Sequence, residues 1–353
     1  MPQLAMVCRL LVVITCAVIS TAASAKTSAD YVGNGARREL IRRAQVWSPT
    51  DIATVDIRIG PQDGRGFQPN DTVFCTYVRR VQRGSTPKFH CRLADGSVAK
   101  VKYGGNNGEV YAEVMATRLL WALGFGADAQ YPVTVICQGC SADPWTNPEN
   151  RKGTRQFDPA MIERPVTGKV VETREGSGWS WPELALVDEE EGGAPLAHRD
   201  ALRLLAVLMQ HTDSKPEQQR IVCVDDTDGA DCRSPLLYLH DVGLTFGKAT
   251  TFNRASVGAA NLRSWSESAI WKDGDRCVGN LKKSATGTLD NPRISEPGRA
   301  WLASLLVQLT DRQLRDLFDV GRVTRREPGT SIDDWVRAFK QKRDDIINQR
   351  CPS

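Results

Sequence analysis

The sequence predicts an α+β protein of two lobes, the first rich in β-strands and the second mainly helical, stapled by disulfides. Three observations carry this. Between residues 73 and 103 apolar and polar residues alternate in short runs broken at Arg83-Gly84-Ser85-Thr86-Pro87 and at Ala94-Asp95-Gly96. An Asp-Gly pair between alternating runs is a strong hairpin signal. Beyond Gly168 the period lengthens to that of helices, most clearly at 198–210, where Leu202, Leu204, Leu205, Val207 and Leu208 supply a face for burial. The third observation is an even set of cysteines in a chain that begins with an export signal.

That signal occupies residues 1–25. Arg9 gives the positive flank, 10–19 the apolar core and Ala23-Ser24-Ala25 a small-residue cleavage site. The mature chain is therefore expected to begin near Lys26, to keep 328 of the 353 residues, and to be periplasmic or secreted. That length suits one domain of two lobes. An apolar content of 41% and a charged content of 25% are those of an ordinary globular protein. A net charge of +4 without a long basic run gives no sign of a nucleic-acid partner. No later stretch approaches the roughly 18 apolar residues of a membrane span.

Ten cysteines are present, and Cys8 and Cys16 leave with the signal. The remaining eight allow 105 pairings, so each bridge is argued locally. Cys75 and Cys91 lie equidistant from Arg83 in the first hairpin and are expected to face one another. Cys223 and Cys232 flank a turn-rich Asp225-Asp226-Thr227-Asp228-Gly229. Cys137-Gln138-Gly139-Cys140 has neither a second C-x-x-C nor a nearby histidine pair, which favours a structural bridge over a redox or zinc motif. Cys277 and Cys351 then pair by elimination.

Residues 26–70 read as an N-terminal extension with a helix at 36–47, a strand at 54–59 and a solvated loop around Gly60, Gly64 and Gly66. Residues 71–168 form the β-rich lobe, with strands at 73–81, 88–93 and 97–103. On the third strand Val98, Lys100 and Lys102 share one face. A helix at 109–123 follows, ended by Gly124, with Glu109 and Glu113 one turn apart. Strands at 131–136 and 160–164 complete this lobe around a loop at 140–157. Residues 169–353 form the helical lobe, with strands at 221–224 and 236–240, irregular chain at 249–292, and helices at 298–309, 311–318 and 332–349. Thr310 is the candidate N-cap of the second of these, and Ser331 or Asp333 stands near the start of the third.

Taken singly, an aspartate on a loop is a cap and a lysine on a strand is solvated. Two stretches break that reading. His211-Thr212-Asp213-Ser214-Lys215-Pro216-Glu217-Gln218 is similar, in all but three positions, to the kinase catalytic-loop pattern H-R-D-L-K-P-E-N, and Asp241-Val242-Gly243 is similar to D-F-G. With Lys102 and Glu113 upstream in the same order, residues 70–245 resemble an atypical protein-kinase-like family of the HipA, lipid-kinase and secretory-pathway types. The resemblance implies a bilobal protein-kinase-like fold, with ATP or another nucleotide and magnesium or manganese. The acceptor would be a hydroxyl on a protein, glycan or small molecule.

By position, Asp213 would take the acceptor's proton and Lys215 would steady the transferred phosphoryl. Asp241 and Gln218 would hold the metal, and Lys102, paired with Glu113 in preference to Glu109, would hold the phosphates. Gly84 and Ser85 would cover the phosphates, and the backbone at Ile162 and Glu163 would receive adenine. The sequence departs from the pattern where Gln218 replaces asparagine and Thr212 replaces arginine. A catalytically silent binding module, transfer of AMP or another group on the same scaffold, and a disulfide-stapled structural protein stand as alternatives.

Overall fold

Five strands close into a barrel whose interior one apolar side-chain set fills. The computed structural model describes residues 31–149, 153–174, 176, 178–225, 227, 231–248 and 258–352, so the export signal lies outside the described residues. Helix α1 (Asn34–Arg43) precedes β1 (Thr72–Val78), β2 (Lys88–Arg92), β3 (Val98–Tyr103), helix α2 (Glu109–Ala122), β4 (Ala129–Gln138) and β5 (Thr154–Arg164). The strand order is β1-β2-β3-β5-β4, antiparallel throughout except where β1 meets β4 in parallel and closes the barrel. Phe89, Cys91, Ala99, Val101, Val135 and Ile162 are among the residues filling it. The alternation that sends these side chains inward sends Lys88, His90, Lys100 and Lys102 out.

Helix α2 is buried almost all round. Val114 meets Met161 of β5 and Val320, while Val110, Met115 and Leu119 join the larger core of the second half. That half carries an antiparallel sheet, β6 (Lys169–Val170), β7 (Gln219–Cys223) and β8 (Pro235–Leu239), and a short ribbon, β9 (Trp271–Asp273) with β10 (Val278–Gly279). Its helices are α3 (Leu196–Met209), α4 (Leu262–Ser266), α5 (Glu296–Leu306), α6 (Asp311–Val320), α7 (Val323–Arg326) and α8 (Ile332–Asn348). Helix α3 packs on α5. Thr310 and Ser331 cap α6 and α8 by accepting from Gln313 N and Asp334 N, each within a capping box.

The described residues of the expected N-terminal extension are no appendage. Leu40, Ile41, Val46 and Ile52 enter the same core as α3, and residues 31–353 form one compact unit. The strand expected at 54–59 is absent. Asp51 O accepts from Thr54 N and Val55 N, Asp56 O accepts from Gly60 N and the Asp56 side chain from Ile59 N, so the segment folds into successive turns. Strand β5 begins at Thr154, inside the stretch expected to be loop, because β4 runs on to Gln138 and pairs with it. Elements α4, β9 and β10 likewise form within the supposedly irregular 249–292.

The four cysteine pairs form as expected, with Cα–Cα separations of 5.6 Å for Cys75–Cys91, Cys137–Cys140 and Cys223–Cys232 and 5.4 Å for Cys277–Cys351. The reason for the first differs. Cys91 faces Tyr77 across the ladder, so its bridge to Cys75 runs diagonally. Cys277–Cys351 fastens the C-terminal tail, which Glu296 also holds through Cys351 N. Cys277→Ser with Cys351→Ser is expected to cost about 2 kcal/mol in denaturant unfolding and to speed amide exchange in the last turns of α8. Unchanged exchange there would show that the bridge does not anchor the tail. Among the described residues no helix is long and apolar enough to cross a membrane.

Candidate functional site

The site grows from the outward face of β3. Lys102 points away from the barrel core toward α2, where Glu109 and Glu113, four residues apart, sit on one face and both reach its ammonium. Nζ lies 2.8 Å from Glu109 Oε2, 2.7 Å from Glu113 Oε2 and 3.4 Å from Asp241 Oδ1. The lysine is 1% exposed. The preference for Glu113 over Glu109 is thus corrected to both, because one helical turn spans the width of one ammonium. The Glu113 contact is not aligned as a hydrogen bond and leaves Oε2 without one. Glu109 also accepts from Thr86 Oγ1 at 3.0 Å, tying the loop after β1 to α2.

Burial opposes charge on Lys102, Glu113 and Asp241, and the outcome differs between them. Asp241, next to Lys102 and Lys100, is held well below the usual carboxylate range despite its burial. Burial also works against Lys102, but Asp241, Glu109 and Glu113 outweigh it and hold the ammonium well above its ordinary value. For Glu113 burial wins, pushing its carboxyl up to about 8. The cluster extends through Gln130, whose Nε2 lies 3.4 Å from Glu113 Oε1 and 3.2 Å from Glu163 Oε2, to Lys100, 2.5 Å from Glu163.

Two loops meet this cluster from the second half. After α3 the chain turns at Gln210 (φ 55°) into the stretch 211–218. Asp213 Oδ2 accepts from Gln218 Nε2 at 2.7 Å and lies 3.1 Å from Lys215 Nζ. The Gln218 carbonyl accepts from both His240 N (2.8 Å) and Asp241 N (3.1 Å), which pins this loop to the Asp241 loop. Asp241 Oδ1 also accepts from Gly243 N at 3.2 Å. A Cβ at Gly243 would lie 2.7 Å from Glu109 Cγ, so only glycine lets that loop approach α2 so closely. His240 Nδ1 lies 2.6 Å from Oδ2 of the fully buried Asp128, whose other oxygen accepts from Val166 N.

Beside these groups opens a cleft of about 930 Å³. Of the residues the sequence nominated, Gly84, Lys215, Gln218 and Asp241 line it. Lys102 and Glu113 are buried and not part of the lining, Asp213 is half-buried beside it, and Ser85 stands exposed at the loop tip. Ile162 and Glu163 do not fill the adenine-receiving role. They lie in β5 between β3 and β4, where Ile162 pairs with Val101 on one side and Tyr131 on the other, so the backbone is used by the sheet. The Ile162 side chain fills the barrel and that of Glu163 holds Lys100.

Asp241 Oδ2 and Gln218 Oε1 accept no hydrogen bond among the described residues. They are hard oxygen donors of the kind magnesium and manganese take. The ligand atoms of Glu109, Glu113 and Asp241 also lie within 4.8 Å of one another, but Lys102 already contacts all three.

The sequence reading did not single out Lys88, His90 and His240, which line the cleft, or Asp128. The alternation in Lys88-Phe89-His90-Cys91 carried a usable signal, since it sends Phe89 and Cys91 inward and Lys88 and His90 outward. Asp128 left none, because its partner His240 is 112 residues away.

No family model matches the chain, and no curated protein matches it. Among solved structures it is similar to that of CtkA, a proinflammatory kinase of Helicobacter pylori, at 10% identity over 80% of this chain and 95% of that chain, with a TM-score of 0.43.

Proposed function

We propose that the cleft binds a nucleoside triphosphate and moves its terminal phosphoryl group to a hydroxyl acceptor, on a bilobal kinase-like scaffold with the barrel as one lobe. The observation that carries this is the buried Lys102, clamped by two glutamates of α2 and touching Asp241 at the wall of a basic cleft. Lys88, Lys100 and Lys215 give that cleft the charge a triphosphate needs.

In the reaction the acceptor oxygen forms a bond to the terminal phosphorus while the bond to the bridging oxygen of the nucleoside diphosphate breaks. Asp213 takes the hydroxyl proton, and Lys215, whose ammonium is already 3.1 Å from that carboxylate, steadies the transferred group. Asp241 and Gln218 would hold magnesium or manganese, which would neutralise phosphate charge when bound. The four cysteine pairs support an oxidising setting, and with it a periplasmic or secreted protein.

One observation favours a second reading, a silent module that binds nucleotide without transfer. Asp213 Oδ2 is occupied by both Gln218 and Lys215, and the residue stands off the cleft lining. A transfer assay with labelled ATP and magnesium or manganese separates the two. Asp213→Ala is expected to lower transfer by about 10²–10⁴-fold while sparing nucleotide binding, and Asp241→Ala to weaken both. No nucleotide-dependent stabilisation with either metal would exclude the enzyme and the module alike. Label retained as AMP would assign the chain to nucleotidyl transfer.

A further inference from the structure

The phosphate-holding role that the resemblance gives Lys102 sits badly with its surroundings. Its ammonium is in contact with the acidic side chains of Glu109, Glu113 and Asp241, it is 1% exposed, and it is not among the residues lining the cleft. Lys88, also buried, differs from it in its partners and in reaching the cleft. The two face one another across the β2–β3 ladder, and Lys88 lines the cleft.

Lys88 is 9% exposed, yet among the described residues no carboxylate is within ion-pair distance of it and it has no hydrogen-bond partner; Glu109 and Asp241 act on it only from farther off. Its one close contact is with the Trp145 ring, 5.5 Å from Nζ to the centroid. Burying an ammonium without a counter-ion costs several kcal/mol. Lysines are therefore almost never left so unless an anion completes the site. Lys100, two residues before Lys102 on the neighbouring strand, has its own carboxylate in Glu163 and does not share this vacancy of charge.

The loop above Lys88 is shaped around it. Gly84 has φ +91°, and a Cβ there would lie 2.9 Å from Lys88 Nζ, so the glycine turn brings bare backbone down over the ammonium. A phosphate entering the cleft beside this turn would meet a cation that no side chain has paired. Burial, with Lys102 close by, lowers the pKa of Lys88. A bound anion would reverse that shift.

We propose that Lys88 is the phosphate-binding lysine of this cleft, taking a phosphate of the nucleotide from the cleft side beside the Gly84 turn, while Lys102 is confined to holding α2 and Asp241 in place. The assignment of the phosphate to a nucleotide rests on the phosphotransfer reading above, but the anion site itself does not.

Two measurements test it. On the wild-type protein, pyridoxal 5′-phosphate followed by borohydride is expected to label Lys88, as mapped by peptide mass spectrometry, with protection by inorganic pyrophosphate. Label spread over other lysines, or no protection, overturns the assignment. In the second, Lys88→Met is expected to weaken ATP binding about ten- to a hundredfold and to leave adenosine binding unchanged.

If wild type and variant bind ATP equally, the assignment falls and the phosphotransfer reading stands. If the wild type binds no nucleotide while pyrophosphate still protects Lys88, the anion site stands and the phosphotransfer reading falls. Should Lys88→Met fail to fold, the labelling of the wild type decides.

Discussion

Lys102→Met is expected to destabilise the protein by about 3–5 kcal/mol at pH 7, and Glu113→Gln by far less. The methionine keeps the length of the stem but removes the only cation that touches Glu109, Glu113 and Asp241 together among the described residues. Glu109 is nearly fully buried, and with Lys102 gone it and Asp241 lose the cation that offsets their charge. Glu113 tolerates a neutral substitute because burial has pushed its carboxyl up to about 8, so at neutral pH it is already largely protonated. Glutamine copies that state. Urea unfolding of the two variants and of the double variant measures this. Equal losses for the two single variants would mean that Glu113 carries full charge. In the double variant the two losses should fall short of additivity, since both changes act on one cluster.

The same cluster fixes a pH dependence for which the sign follows from burial. Glu113 binds its proton more tightly folded than unfolded, because its carboxyl has moved from 4.5 to about 8. Its contribution to stability is therefore full below pH 4.5 and is lost as pH rises through 8. Glu113→Gln should flatten that limb of the stability profile.

What the sequence made legible and what it withheld divide along the range of the cause. Asp213, Gln218 and Asp241 were nominated by short contiguous motifs that resemble a known pattern, and Lys102 and Glu113 by the same resemblance; strand alternation and helical spacing alone gave only the faces on which the lysine and the two glutamates stand. The disulfide partners Cys223 and Cys232 were legible from local sequence, being nine residues apart around one turn. The assignment of Ile162 and Glu163 failed because it depended on the place of β5 in the sheet. The order β3-β5-β4 is set by chain distant in sequence, and it occupies both edges of the strand. Lys88 escaped notice because its importance lies in what it lacks, and the absence of a partner is visible only once the neighbours are in place. The segment 54–59 failed on local turn formation instead, in which the Asp51 carbonyl accepts from Thr54 N and Val55 N and the Asp56 side chain accepts from Ile59 N.

Acid is expected to destabilise the protein through His211, by about 3 kcal/mol between pH 6.5 and pH 4. His211 is 0% exposed, its ring centroid lies 6.2 Å from that of Trp181, and among the described residues neither ring nitrogen has a hydrogen bond. Burial lowers its pKa from 6.5 to about 4. The unfolded chain then binds the proton that the folded one refuses, so stability is full above pH 6.5 and falls as pH drops toward 4. This slope opposes that of Glu113 between pH 4.5 and 6.5, and a wild-type profile that looks flat there would hide both. His90, also pushed down to about 4 by burial, adds to the acid limb. His211→Phe should therefore reduce the acid slope without abolishing it, and in combination with Glu113→Gln should leave the residue that His90 supplies. Because His211 stands two residues before Asp213, protonating it loosens the loop that carries Asp213, Lys215 and Gln218. Nucleotide binding in wild type should accordingly weaken below pH 5 while the His211→Phe protein still binds. An acid slope identical in both proteins would place the titrating group elsewhere.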